Sequence, residues 1–458
     1  MATLAAPFGE EMTLANPGES LTPRRMAQLF FASFWTIVFT GSVRKWLFPH
    51  VAAFYLLQDV PITIAYIYAI RKGFFSRGYL FLTILFLSAV LSLQAFLQVI
   101  VIALNPIVAF IGLHHYLYYL PMLLIFPMAL TPKYRGDFIR VNLWFSLPMC
   151  VLSIAQAMSP TTAWVNHTSE GDAMGLPGVE IARVCGTYNF AVFYGIWIAM
   201  ALSLCLGEWL LPKERRVVKT RFLLPLSTFS LALIALISGS RQNILLCVAA
   251  LLGACIAAVI IRSMRVFAVI ALSAIFIPVA GVLTYVVSPT EFAVVQDRFT
   301  SKEGSSDVKT RLADTLYGWL TVPEFSLIGK GLGQGVDAAH FGSNDAYNFT
   351  YDLSEGDTIR NVMELGTPVG LFYAVLRYSL MIGMIFFAAR LTRVSPHCLP
   401  LAFMLFGQTA ADLTRAATMT CTQVMIGYAF IFGVARYPFD EETTIAEPEP
   451  DPSFAPAA

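Results

Sequence analysis

The stretch YLFLTILFLSAVLSLQAFLQVIV, Tyr79 to Val101, runs 23 residues without one charged side chain. At about 1.5 Å rise per residue a helix of that length crosses a hydrocarbon layer of about 30 Å. Working outward from it, the same criterion yields twelve candidate spans: Met26–Ser42, Val51–Ile70, Tyr79–Val101, Ile107–Leu130, Val141–Met158, Thr187–Leu211, Phe222–Ile237, Gln242–Ile261, Val266–Val287, Pro368–Ala388, His397–Leu413 and Ala417–Val434. Two long apolar runs need dividing. Asn105-Pro106 divides one, because proline is badly tolerated inside a helix, and Ser238-Gly-Ser-Arg241 divides the other, because a charge is costly in lipid. Composition agrees. Of 458 residues, 57% are hydrophobic and 13% charged, with a mean hydropathy of +0.68. A soluble domain carries about 25% charged residues, too many for this chain to match. The fold class expected is all-α and polytopic.

Lys and Arg in the short loops set the expected orientation. One alternating set holds 18: Arg24, Arg25, Arg71, Lys72, Arg77, Lys133, Arg135, Arg140, Lys213, Arg215, Arg216, Lys219, Arg221, Arg262, Arg265, Arg390, Arg393 and Arg436. The opposite set, leaving one long insert aside, holds 5: Arg44, Lys45, Arg183, Arg241 and Arg415. Both termini are therefore expected in the cytoplasm. The chain then divides into a cytoplasmic segment 1–25, spans one to nine over 26–287, an extracytoplasmic loop 288–367, spans ten to twelve over 368–434, and a tail 435–458. The tail, rich in Glu, Pro and Ala, reads as disordered. The first 25 residues lack a basic stretch followed by an apolar run, so the first span is expected to target the chain. The net charge of +1 gives no reason to expect nucleic acid. The seven cysteines have no metal-ligand spacing and read as small buried hydrophobes.

An insert of about eighty residues is no simple connector, since connections in helical bundles run to about 2–8 residues. It contains Arg298, Arg311, the run Gly329-Lys-Gly-Leu-Gly-Gln-Gly335, His340, and Ser354-Glu-Gly-Asp357 leading to Glu364-Leu-Gly366. Residues 307–321 place Leu312, Leu316, Trp319 and Leu320 on one stripe, which predicts an amphipathic helix. Ser354–Asp357 is a capping-box pattern and Gly366 a stop, predicting a short helix with Glu355 in its first turn. The glycine run lacks the Gly-Lys-Ser/Thr ending of a nucleotide loop and reads as a flexible turn.

Several side chains have two readings. Arg241, in a Ser-Gly-Ser-Arg turn at a span's outer end, can hold a phosphate with help from Ser240, or snorkel to head groups. Arg311 is a polar residue of an amphipathic helix or points to a site. Glu355 and Asp357 suit a helix's first turn through its dipole, and either can act as general base. Asp59 falls within a candidate span, where an ionisable group is a functional candidate or a packing partner. His114-His115 suggests a proton path or an interfacial pair, and His340 a base or a loop residue. Arg44, Lys45, Arg183 and Arg360 complete the secondary candidates.

The order of these features is more specific than any one. A Ser-Gly-Ser-Arg turn after the seventh span, two further spans, then a large outer insert with an arginine helix, Gly-Lys-Gly-Leu-Gly and Glu364-Leu-Gly366 resemble the superfamily of O-antigen ligases and Wzy-type polysaccharide polymerases. The motif content lies within about residues 230–375. The ligase branch has a His-Asn pair nine residues before the Glu-Leu-Gly element, with that His regarded as catalytic base. Counting back from Glu364 reaches Glu355, followed by Gly356. The carboxylate fits the polymerase branch better. The resemblance implies a GT-C-like membrane fold in the bacterial inner membrane, with Glu355 as base and Arg241 and Arg311 holding the diphosphate of an undecaprenyl-linked oligosaccharide. It implies metal-independent, inverting transfer without a cofactor, outside the cytoplasm, in company with membrane lipid, a flippase and a chain-length regulator. The alternatives are a ligase moving glycan onto lipid A core or protein, and a non-catalytic transporter of polysaccharide or lipid.

Overall fold

The computed structural model describes most of residues 21–287, then 325–336, 357–411 and 418–438, with scattered positions elsewhere. Glu355, Arg311, His340, most of the helix expected over 307–321, and the tail beyond Pro438 lie outside the described residues.

Fourteen helices make up the described architecture, with one short antiparallel hairpin, β1 (Gly175–Leu176) and β2 (Val179–Ala182). They are α1 (Leu21–Ser42, continued by a π-turn Val43–Leu47), α2 (Asp59–Lys72), α3 (Tyr79–Val101), α4 (Pro106–Leu117), α5 (Met122–Ala129), α6 (Pro132–Met158) and α7 (Ala191–Leu210). After them come α8 (Leu223–Ile237), α9 (Arg241–Ile260), α10 (Val266–Val287), α11 (Asp357–Leu365), α12 (Thr367–Leu391), α13 (Cys398–Ala411) and α14 (Thr418–Arg436).

Eight helical segments are long and apolar enough to cross a membrane: Thr22–Leu47, Tyr79–Val101, Pro106–Ala129, Pro132–Met158, Ala191–Leu210, Arg241–Ile260, Thr367–Leu391 and Thr418–Arg436. The chain is thus a polytopic, predominantly helical membrane protein. Leu223–Ile237, Ile277–Val286 and Cys398–Ala411 are apolar but shorter. The candidate span Val51–Ile70 becomes α2, only 14 residues long. Asp59 therefore stands at a helix start rather than in mid-span, with Pro61 in the first turn, where its missing N–H costs nothing. The span Ile107–Leu130 is also interrupted, at Tyr118–Pro121 between α4 and α5. Both divisions expected from sequence fall at helix ends. The Asn105 side chain caps α4 by accepting from Ile107 N at 2.9 Å, and Gly239 takes the left-handed conformation, φ 63°, that turns α8 into α9.

Helices α7 and α14 form the centre, each with 89% of its apolar window buried within the protein, against 28–50% for most other spans. The outer helices present the remainder to lipid. With lipid as apolar as leucine, close backbone approach and polar side-chain bonds hold such helices together. Trp197 Nε1 on α7 donates to Asn142 Oδ1 on α6 at 3.0 Å, and Tyr194 OH meets Ser153 Oγ at 2.6 Å. Where α7 crosses α9, Gly195 lies against the Asn243 amide, whose Nδ2 donates to Ala191 O at 3.2 Å and to Ser238 Oγ at 3.0 Å. A Cβ on Gly195 collides with that side chain. Gly195→Ala is accordingly expected to destabilise the detergent-solubilised protein by about 1–3 kcal/mol through overpacking. Gly383→Ala on α12, where a Cβ meets nothing within 4 Å, is expected to be neutral or stabilising by up to about 1 kcal/mol. Equal melting of the two variants contradicts this crossing.

Candidate functional site at the Arg241 end of the bundle

The starts of α7, α9, α12 and α14 and the ends of α1, α3, α6 and α13 gather at one end of the bundle, where most sequence candidates also lie. Arg241 opens α9, directly after the buried Ser240, which takes the N-cap position. Its neighbour Gln242 donates from Nε2 to Gln408 Oε1 on α13 at 2.7 Å, which ties the Ser-Gly-Ser-Arg turn to the α13 end.

Arg44 and Lys45 lie on the π-turn that ends α1 and meet the loop following Arg183. Lys45 is buried, its Nζ donating to Gly186 O at 2.7 Å and standing 3.3 Å from Cys185 Sγ. With the Asn189 amide oxygen turned toward it, Arg44 Nη1 donates to that oxygen at 2.8 Å. Gln156 on α6 holds the same loop, accepting from Gly186 N at 2.8 Å. Arg183 is half-buried where β2 ends. Folding thus brings Arg44, Lys45 and the loop after Arg183 together. It also fixes Lys45 as a packing element, enclosed by the backbone it bonds.

The second group is built on α11. Asp357 at its start is buried and bonded to Arg360 one turn on. The other Asp357 oxygen accepts from Arg377 Nη1 of α12 at 2.5 Å and from Leu413 N at 3.1 Å. Arg377 in turn donates to Thr409 O of α13. Both oxygens of this buried carboxylate are thus engaged, which makes Asp357 a structural member of the cluster. Arg360 is equally buried and positions Asp357.

The run Gly329–Gly335 is not the flexible turn its composition suggests. Gly335 N donates to Glu364 Oε1 at 2.5 Å, Gly333 N to Oε2 at 3.4 Å, and Lys330 N to Met363 O at 2.8 Å. Tyr116 OH on α4 donates to Glu364 Oε2 at 2.9 Å. From α3, Gln98 Oε1 accepts from Leu332 N at 2.7 Å, and the Gln94 and Gln98 amides donate to Ile328 O, Leu365 O and Glu364 O. Gly333, at φ 88°, presses its backbone against Gly112 of α4, where a Cβ on either residue overlaps the other. The glycine run and the Glu364-Leu-Gly366 element are therefore one knot. It is anchored to α3 and α4.

Sequence reasoning passed over Arg377, Tyr116, Gln94 and Gln98. Arg377 carried a signal, as a lone charge within an apolar span. Gln94 and Gln98 carried a weaker one, two amides four apart on one face of an otherwise apolar helix. Among the described residues no group of three or more His, Cys, Asp or Glu has the arrangement of a metal site. No protein-family model, curated protein or solved structure matches this chain.

Two consequences are measurable. Arg377→Met strips a buried carboxylate of one cation, and such a loss costs about 3–5 kcal/mol. Adding Asp357→Asn is expected to recover part of it, and parental melting of the single variant refutes the pairing. Burial pushes the Glu364 carboxyl above its ordinary value, against the pull of Arg360, Tyr116 and the Gly335 and Gly333 amides. An acid raised in the folded state stabilises fully below its unfolded pKa of about 4.5, and that contribution is lost as pH rises through the folded value. Glu364→Gln is expected to flatten this decline in melting temperature with rising pH. An unchanged slope places the titration elsewhere.

Proposed function

We propose that the protein is an inner-membrane glycosyltransferase that polymerises undecaprenyl-diphosphate-linked oligosaccharide repeat units on the extracytoplasmic side, in exopolysaccharide, O-antigen or capsule assembly. The chain crosses the membrane twelve times in this reading, with α2, α8, α10 and α13 completing the set and both termini in the cytoplasm. The Arg241 end then faces the periplasm, as the distribution of Lys and Arg requires.

The observation that carries the proposal is the clustering at that end of the Ser240-Arg241 turn, the Arg44 turn and the α11 knot, tied through Gln242–Gln408 and Arg377–Thr409. Arg241 and Arg311 hold the donor's diphosphate, on which charge accumulates as the anomeric bond breaks, and fixed guanidinium groups stabilise that charge. Glu355 takes the proton from the acceptor hydroxyl. The described carboxylates of α11, Asp357 and Glu364, are enclosed by their partners, which leaves this role to a residue outside the knot. Inversion follows from one direct displacement at the anomeric carbon, and neither base nor arginine pair calls on a metal or nucleotide. A flippase supplies the donor and a chain-length regulator limits the product.

One arrangement favours a second reading, a non-catalytic carrier. Asp59 at the start of the short α2 meets His114 Nε2 at 3.1 Å and Tyr119 OH at 2.6 Å, beside the break between α4 and α5. Interrupted helices with ionisable groups recur in transporters. Mass spectrometry of lipid-linked glycans separates the readings. Deleting the gene is expected to accumulate single repeat units, and long lipid-linked chains would instead indicate a ligase. Glu355→Gln is expected to lower polymerisation about 10²–10⁴-fold with normal membrane insertion. Full polymer from that variant removes Glu355 from catalysis and favours the carrier. Addition of EDTA to membranes is expected to leave polymerisation unchanged.

A further inference from the structure

We propose that the groove at the opposite end of the bundle, around Arg393, binds the head group of an anionic phospholipid. Three turns enclose it: the one after α7, the one after α9, and the one joining α12 to α13. They leave a cavity of about 900 Å³. Arg215 and Arg393 line it and both are exposed. Arg393 makes no side-chain hydrogen bond or ion pair with any described residue. Glu214 is the one exposed carboxylate of the lining. The other ionisable group there, His397, is buried, 3.2 Å from Glu208 Oε1 and 3.0 Å from Ser395 Oγ. Arg393 thus brings positive charge to the groove, with Arg215, Lys213 and Arg262 as further exposed cations around it.

The rest of the wall is apolar, with Leu210, Leu211, Val217 and Ile261, and with Met264, which is 81% exposed. An exposed methionine beside guanidinium groups suits the membrane–water boundary, where apolar surface and cations both find partners. A phosphodiester accepts paired donors from arginine, while glycerol and the first acyl carbons cover the apolar wall. The cavity falls within the roughly 300–1,000 Å³ range of small-molecule sites, well beyond what a bare phosphate fills. Pro438 also lines the groove, and Asp440, Glu441 and Glu442 follow it in sequence. These acids match the arginines but leave the apolar wall uncovered. A lipid satisfies both.

The test is native mass spectrometry of the full chain in detergent, titrated with dioleoyl phosphatidylglycerol and, separately, dioleoyl phosphatidylcholine. Selective retention of phosphatidylglycerol is expected. The Arg215→Gln/Arg393→Gln variant is expected to bind it about 25-fold more weakly, roughly fivefold for each cation lost. Arg393→Gln alone, at an exposed position that leaves folding intact, is expected to lose about fivefold. Equal retention of the two lipids overturns the proposal, as does undiminished phosphatidylglycerol binding by the double variant. Glycerol 3-phosphate binding as tightly as the lipid assigns the groove to soluble phosphate esters instead. If the substitutions leave lipid binding intact but expose residues 439–458 to protease, the groove belongs to the chain's own tail and the lipid assignment falls.

Discussion

The described part of the Arg241 end depends on one carboxylate. Glu364 accepts from two backbone amides of the glycine run and from Tyr116 on α4, while its own backbone carbonyl accepts from Gln98 on α3. Four separate stretches of chain meet at that residue. A buried acid is costly without donors, so the amides of Gly333 and Gly335 must stay aligned for it to remain there. Mutual dependence of this kind makes the knot a single unit: loosening the loop bares the acid, and removing the acid frees the loop. The positive φ of Gly333 and its contact with Gly112 follow, because only a backbone without Cβ comes near enough to α4 for its amide to reach the acid.

The α11 helix carries that constraint to the rest of the end. Glu364 sits in its last turn and Asp357 at its start, so a nine-residue rod has each end fixed by a buried acid. At the Asp357 end the partners are Arg377 of α12 and the backbone at Leu413 beyond α13, so the glycine run and α3 are joined to α12 and α13 through the helix. Gly366, at φ 82°, then lets α12 start at once, with Pro368 in its first turn. Ion pairs of this sort add little net stability over apolar packing. Their geometry is directional, however. An arginine fork accepts only a narrow set of carboxylate positions, and that sets the rotation of α11 about its axis.

Much of the fold was legible because it rests on local signals. Uninterrupted apolar length marked the long spans, Asn105-Pro106 and Ser238–Arg241 marked helix ends, and Gly366-Thr367-Pro368 marked a stop and a restart. The misreadings came from long-range bonding and from a helix boundary, neither of which local pattern carries. The glycine run looked mobile because its composition is that of a flexible segment, and its anchors lie more than 200 residues away at Gln94 and Gln98 or on α4 at Tyr116. Asp59 looked like a charge in mid-span because apolar content alone does not reveal where α2 begins. The candidate site was legible mainly by type. Cations at span ends were found, yet which of them packing encloses, as it does Lys45, depended on Gly186 and Cys185, 140 residues on.

Burial therefore separates two kinds of polar residue at this end. Asp357, Arg360, Arg377, Glu364 and Lys45 are enclosed, and all but Arg360, which bonds within α11, are bonded to another helix or loop in the contacts described. Their desolvated charges fix geometry, and a reacting group placed among them would have to break those bonds before meeting a substrate. Arg241 and Arg183 are only half-buried. Both sit at the ends of elements, Arg241 opening α9 and Arg183 following β2. This end of the bundle is thus divided between a scaffold of enclosed, bonded polar groups and half-buried arginines at the ends of elements.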